Sequence, residues 1–444
     1  MPRRSNVELD LLLGMEYYGL DLDGCGGVIR KNLEDFLVFE ISIDGSVASP
    51  SCPEEHGAGE YTWLVLEKRK VDTVTALRMI ERHFGLPRSS IGVAGLKDTA
   101  AITYQFISIK NNVSSVQLEE FNARHKRVKL HCPVRRPFHL RPGMLLGNRF
   151  VVTVREVRDP EVAIRAVKLA QELGGVPNYY GYQRFGSIRP VTHIVGKLIL
   201  QGDFKRAADE MLLRVFEGES PRAKQARALL AETGDYSRVL EIFPKSMHNE
   251  RVLIAYLAKH PGDYVGAFRK LSPYVRKLLI GAYQAYLFNK LLSRRIEAGL
   301  PYTEAVPGDV VGVYSERKTH EPVGVLVVNS AIVDKVNRWI KQGKATLLLP
   351  IFGYNTPLLS GKPGELELEV LREEGLDLEA FRLKSIPEAS SAGTYRPAAL
   401  KPLELSVKVE DSAVLLSFTL RKGMYATTLL REIVKPEDPP RQGF

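Results

Sequence analysis

Gly95-Leu-Lys-Asp-Thr-Ala-Ala-Ile-Thr-Tyr-Gln105 is the stretch on which the reading of this chain turns. It sets Asp98 on a tight turn leading into Ala100-Ala-Ile-Thr-Tyr104. An aspartate there can cap or close the turn through nearby backbone N–H groups, or it can be a reactive carboxylate. Phosphate binding of the Walker A kind is excluded, because Gly92 and Gly95 are too close together and no Lys-Ser/Thr pair follows. If residues 97 and 98 are extended, their side chains point to opposite faces. Lys97 then does not pair with Asp98, and another cation is needed.

Outward from this turn, strands and helices alternate irregularly, which predicts α+β rather than a doubly wound sheet. Upstream, Tyr61-Thr-Trp-Leu-Val-Leu-Glu67 reads as a strand. Asp72 caps a helix with Val74, Leu77, Ile80 and Phe84 on one stripe, and Gly85 and Pro87 stop it. Downstream, Phe150 to Val157 is another strand. Asp159-Pro160 opens a helix carrying Val162, Ala166, Leu169 and Leu173, ended by Gly174-Gly175. From Arg189 to Phe381 the pattern is richer in helix, clearest over Lys205–Glu232 and Val275–Ala298. Ser385 to Thr394 reads as a linker. Leu403 to Val409 alternates apolar and polar as a half-buried strand, and Ala413–Leu420 answers it across Glu410-Asp411-Ser412. Ala426–Val434 closes the chain as a helix. An interrupted domain explains this order: a β-rich first half finished by the C-terminal strands, with a helical module between. Three consecutive domains is the alternative, and periodicity does not choose.

The 444 residues allow two or three domains, and 44% hydrophobic with 26% charged residues is ordinary for a globular protein. A formal charge of +10 favours a polyanionic partner. Cys25, Cys52 and Cys132 are widely spaced with no C-x-x-C pair, so neither a zinc knuckle nor a disulfide framework is indicated. Buried free thiols in a reducing compartment are expected. Leu11-Leu-Leu-Gly-Met15 lies between Asp10 and Glu16 and is too short for a signal sequence. No window approaches the ~20 apolar residues of a membrane span, and a cytoplasmic protein is expected. Lone histidines such as His193 show no ligand spacing, so no metal is assigned.

Four further strings carry chemistry. Pro177-Asn-Tyr-Tyr-Gly-Tyr-Gln-Arg-Phe-Gly186 offers Tyr180, Gln183, Arg184 and Phe185 as a wall for stacking and phosphate contact, or as a packed aromatic corner. In Gly423-Met-Tyr-Ala-Thr-Thr-Leu-Leu-Arg431, Arg431 is either a helix-end surface residue or, among Leu429, Leu430 and Ile433, one that needs an anionic partner. Gly147-Asn-Arg-Phe150 opens a strand. Gly26-Gly-Val-Ile-Arg-Lys-Asn-Leu-Glu-Asp-Phe36 sets Arg30 beside Lys31. The basic runs Arg124-His-Lys-Arg127, Arg135-Arg136 and Arg294-Arg295 are candidates for an RNA path or solvated faces.

These strings, with Gly95-Leu-Lys-Asp98, resemble the TruD family of RNA pseudouridine synthases. The likeness runs in order from about Gly26 to Val434, and around Gln183, Phe288 and Tyr395 it looks closer to the archaeal and eukaryotic branch. It implies the α+β pseudouridine synthase fold, with a mixed antiparallel sheet formed by residues 1–176 and 386–444. An inserted, helix-rich α+β TRUD module would occupy 177–385. The resemblance carries the catalytic aspartate onto Asp98 and its basic partner onto Arg431. Asn148 would shape the site, and Phe150 would stack on the flipped base where related families use tyrosine. The family's lysine falls on Arg30, and Leu33 stands where the family has proline. A guanidinium can hold phosphate or carboxylate as a fork, but it is not a lysine equivalent. Lys31, Lys97, Tyr425 and the Tyr180–Phe185 wall join the substrate-binding set; sequence does not identify the residue that takes the C5 proton, for which Tyr425 is a conceivable substitute. Gln284 and Asn289 would hold the module together. The implied reaction is isomerisation of a tRNA uridine, uridine 13 in the D-arm, with tRNA as partner and without cofactor or metal. The alternative is a non-catalytic tRNA-binding or chaperone protein that keeps the fold.

Overall fold

The structure is a computed structural model and describes residues 2–52, 57–97, 99–110, 112–186, 188–314 and 322–444. The chain folds as two units, Leu22–Val176 with Leu400–Phe444, and Met1–Asp21 with Pro177–Ala399.

The first unit is built on an eight-stranded sheet. Its strands are β1 (Phe36–Ser42), β2 (Tyr61–Arg69), β3 (Gly92–Val93), β4 (Ile102–Ile109), β5 (Val128–Arg136), β6 (Leu145–Val154), β7 (Leu403–Glu410) and β8 (Ala413–Arg421). Their spatial order is β7-β8-β6-β1-β4-β2-β5, with β3 on β4. β1 and β4 run parallel, and the other pairs are antiparallel. The last two strands thus extend the sheet beyond β6, and one sheet is completed from distant parts of the chain.

Side-chain alternation explains how β6 and β8 lie. Phe150 pairs with Phe418 and Asn148 with Leu420. Phe150, Val152 and Val154 share their buried face with Val414, Leu416, Phe418 and Leu420. Glu410 pairs with Ala413, leaving Asp411-Ser412 as a two-residue turn. Asp411 takes φ +51 there, a conformation aspartate tolerates and this turn requires. β7 departs from the half-buried expectation. It is the sheet edge, with Leu403 39% and Val409 40% exposed, and its Glu404, Lys408 and Glu410 discourage further pairing.

Helices α1 (Thr73–His83) and α2 (Ser115–Arg124) cover the β2–β4 end. Ala76, Ile80, Leu118 and Phe121 pack there on Leu64, Leu66, Ile107 and Ile109. Asp72 caps α1 by accepting the Thr75 N–H. The buried stripe is Thr73, Ala76 and Ile80, whereas Val74 is exposed, because a helix starting at Thr73 faces the sheet with that residue. Helix α3 (Pro160–Glu172) is capped by Asp159 and buries Val162, Ala163, Ala166, Val167 and Ala170, leaving Leu173 outside. Helix α4 (Ala426–Val434) is buried at every residue.

Cys52 and Cys132 correct the expectation of free thiols, for they form a disulfide across a sequence separation of 80 residues. Ala48 and Cys132 share one apolar cluster with Val65, so the chain after β1 runs beside β5. Cys25 is buried, and burial pushes its thiol up to about 12.

The second unit centres on the helix Pro273–Glu297 and a four-stranded sheet in the order Thr394–Pro397, Ala345–Ile351, Val310–Val313, Gly324–Val327. Two stretches assigned elsewhere from sequence belong to it: Met1–Asp21, and residues 386–399. The long helix holds the first of these by polar bonds. Asn289 Nδ2 donates to Leu13 O and Ser293 Oγ to Gly14 O. Gly14 approaches at φ +72 with helix backbone on the side where a Cβ would project. In the second stretch, the supposed linker Ser385–Thr394 buries Ile386 and Ala389 and leads into the edge strand Thr394–Pro397.

Candidate active site

The turn at Gly95–Lys97 is held by side chains from three elements. Gln105 Nε2 on β4 donates to Gly95 O at 3.1 Å. The Lys97 N–H donates to Thr73 Oγ1, at the first residue of α1, at 3.1 Å. Lys68 Nζ on β2 donates to Lys97 O at 3.2 Å. Thr73 Oγ1 in turn donates to Gln105 Oε1 at 3.2 Å. The Lys97 ammonium lies 2.6 Å from Asn148 Oδ1 and 2.7 Å from Glu40 Oε2. Asp98 lies outside the described residues.

Strand register places these groups on one sheet face. Glu40 pairs with Asn148 across β1 and β6, and Lys68 and Val38 both pair with Thr103. Burial pushes the Glu40 carboxyl upward, while Lys97 and the Phe106 N–H at 3.2 Å act against that rise. Sequence reasoning passed over Glu40, Lys68, Thr73 and Gln105. Parity was the available signal: Glu40 alternates with Phe36 and Val38, and Lys68 with Leu64 and Leu66, so both charges fall on core faces.

Beside this cluster runs a row of rings. Phe150 is 6% exposed and stacks on Phe418 at 5.3 Å, with Phe36 edge-on at 6.2 Å. The Arg30 guanidinium carbon lies 4.0 Å above the Phe36 ring centre. Arg30 takes φ +56 and donates to Gly443 O at 2.5 Å. Lys31 is exposed and pairs with Glu156.

Arg431 is 1% exposed in the last turn of α4, with its guanidinium 3.4 Å from Glu432 Oε1. The C-terminal end of α4 is tied to the Gly26-Gly segment, as Cys25 N–H donates to Ile433 O and Gly26 N–H to Val434 O. Tyr425 is the half-buried N-cap residue of the same helix.

The remaining predicted residues lie in the second unit. Tyr180 is clamped by Asn289, which accepts its N–H at 2.7 Å and donates to its carbonyl at 3.0 Å. The Arg396 guanidinium sits 4.1 Å over the Tyr180 ring. Tyr182 OH donates to the buried Asp10 at 2.6 Å, which fixes the turn Tyr182–Arg184. That turn leaves Gln183 exposed and Arg184 half-buried. Phe185 is fully buried, edge-on to His193 at 5.2 Å. Gln284 bonds Phe352 O at 2.6 Å and Ser391 Oγ at 2.8 Å.

The basic runs differ in their partners. Arg295 is buried in a two-bond pair with Asp309, and Arg294 pairs with Glu297, Glu373 and Glu16, so this run is structural. Arg127 bonds the carbonyls of Arg69 and Lys70. No cluster with metal-ligand character occurs among the described residues, and no described helix is long and apolar enough to cross a membrane.

The family model for tRNA pseudouridine synthase D (TruD) matches residues 12–433. The chain belongs to the TruD family. A Methanosarcina mazei protein named "Probable tRNA pseudouridine synthase D" is 37% identical over 439 residues, covering 96% of this chain and 98% of its own. A protein of the same name from Pyrobaculum aerophilum is 38% identical, with 98% of each chain covered. The solved TruD structure from Methanosarcina mazei superposes with a TM-score of 0.82 at 36% identity, over 98% of this chain and 99% of that one. TruD proteins are tRNA pseudouridine synthases, a class of isomerase, and the mixed sheet described above agrees with their fold.

Proposed function

We propose that this chain converts uridine 13 of tRNA to pseudouridine, with Asp98 as the catalytic carboxylate and the target base everted. The observation that carries the reading is the enclosure of Gly95–Lys97. Both main-chain polar groups of Lys97, and its ammonium, are bound by side chains of the sheet strands and of helix α1. Such an enclosure suits a residue whose neighbour must be aimed.

The reaction breaks N1–C1′, turns the base and forms C5–C1′. The C5 proton leaves and N1 gains one, so no oxidant, reductant or group donor is consumed. A carboxylate serving as nucleophile or base meets that need. Arg431 would keep Asp98 ionised against desolvation. Asn148, oriented by Lys97, would meet the base edge, and Phe150 would extend its ring row under the base, where stacking contributes ~1–3 kcal/mol. Eversion costs a few kcal/mol, which stacking and phosphate contacts by Arg30, Lys31, Gln183 and Arg184 would offset. Tyr180 would stack as part of the same wall. Lys97 and Phe185, both enclosed, would act through the groups they hold, and Tyr425 would take the C5 proton. We place the activity in the cytoplasm, where this substrate is processed.

Incubating the purified chain with unmodified tRNA, then carbodiimide labelling and primer extension, tests the reading. A reverse-transcription stop one nucleotide 3′ of uridine 13 is expected. Modification only at another uridine, or at none, removes the assignment.

A further inference from the structure

We propose that Lys68 is a positioning residue of the isomerase. With Thr73 and Gln105 it fixes the main chain from which Asp98 projects. The inference rests on the reading of Asp98 as the catalytic carboxylate.

Lys68 has no exposed surface, although it shares its strand face with Leu64 and Leu66. Burying an ammonium carries a desolvation penalty, and an apolar chain of similar volume would serve a core position better. Its ammonium donates to the carbonyl of Lys97, the residue bonded to Asp98. That carbonyl belongs to the planar peptide group that includes the nitrogen and Cα of Asp98. Holding the oxygen therefore restrains the peptide group at Lys97, the residue that precedes Asp98.

Lys68 does not act alone. Thr73 takes the N–H of Lys97, Gln105 takes the carbonyl of Gly95, and Thr73 and Gln105 are bonded to each other. These three side chains come from β2, α1 and β4. Meanwhile the Lys97 side chain is anchored to Glu40 and Asn148. Residue 97 is thus fixed at its donor, its acceptor and its side chain, and a preorganised carboxylate needs that rigidity.

The test measures kcat, KM and tRNA affinity for Lys68→Met, Thr73→Val, Thr73→Ser and Asp98→Asn, with thermal unfolding to establish folding. Lys68→Met and Thr73→Val should lose about 10- to 100-fold in kcat, as expected for a displaced catalytic group. Their KM and tRNA affinity should stay within about twofold. Thr73→Ser, which restores the acceptor oxygen, should recover kcat. Folded Lys68→Met and Thr73→Val proteins with wild-type kcat, or with kcat and affinity lost together, overturn the proposal. If Lys68→Met does not fold, the Thr73→Val and Thr73→Ser pair decides by the same criteria. Full activity in Asp98→Asn would instead remove the Asp98 reading itself. An inactive Asp98→Asn beside fully active Lys68 and Thr73 variants removes only this inference.

Discussion

Lys97 and Glu40 form an ion pair of 2.7 Å inside the sheet unit, with side chains 5% and 1% exposed. Their positions are reached from different elements, and Asn148 completes the contact on the Lys97 side. A pair this enclosed is costly to break on one side only, since the remaining charge stays buried.

Glu40→Leu should therefore destabilise the protein by about 3–5 kcal/mol. The double variant Glu40→Leu with Lys97→Met should recover most of that loss. Denaturant unfolding of the four proteins in the cycle measures the coupling. Additive losses would show that the two groups stand independently.

Asp98→Asn and Asp98→Ala should form no pseudouridine while tRNA binding survives, because the change removes the carboxylate proposed to react and leaves the contact surface. Product assay and filter binding on the same preparations check this. Turnover at the wild-type rate would take Asp98 out of the mechanism.

Arg431→Leu removes a buried cation from α4. Losing a nearby positive charge disfavours an ionised carboxylate and raises its pKa. The acid limb of the kcat/KM profile should then move to higher pH. A profile superimposable on wild type would show that Arg431 does not act on the carboxylate proposed for Asp98.

His193 lies buried between Phe185 and Tyr286, and burial lowers its pKa from 6.5 to about 4. The folded state refuses a proton that the unfolded chain accepts. Stability is therefore complete above pH 6.5 and falls as pH drops towards 4, by about 3 kcal/mol in total. His193→Leu should flatten that part of the stability curve, whatever its cost at pH 8. Unfolding free energies at several pH values measure the slope, and an unchanged slope assigns the acid sensitivity to other groups.

The disulfide between Cys52 and Cys132 closes a long loop in the sheet unit. Reduction, or Cys132→Ala, should lower stability by about 2–4 kcal/mol. Denaturation with and without reductant tests this, and identical midpoints would count against the crosslink.

Elements whose signals lie within a few residues of one another were legible directly. The Asp159-Pro160 helix start follows from its cap and the Ala426–Val434 helix from its apolar pattern, whereas the loop expected over Glu410-Asp411-Ser412 narrows to Asp411-Ser412 because Glu410 still pairs with Ala413. The proposed role of Gly95-Leu-Lys-Asp98 was readable only as a likeness, since a turn aspartate has the same local pattern whether reactive or not. The edge placement of β7 escaped, because alternation shows that a strand has two faces and not what covers them.

The sequence by itself determined the net positive charge and those helices and strands that local spacing marks, because these depend on composition and short-range pattern. Only the tertiary structure decided which groups meet. Lys97 finds Asn148 across a separation of 51 residues, Cys52 finds Cys132 across 80, and Met1–Asp21 joins the unit that begins again at Pro177. Contacts of that range follow from strand register and core packing over the whole sheet, and no short window of residues contains them.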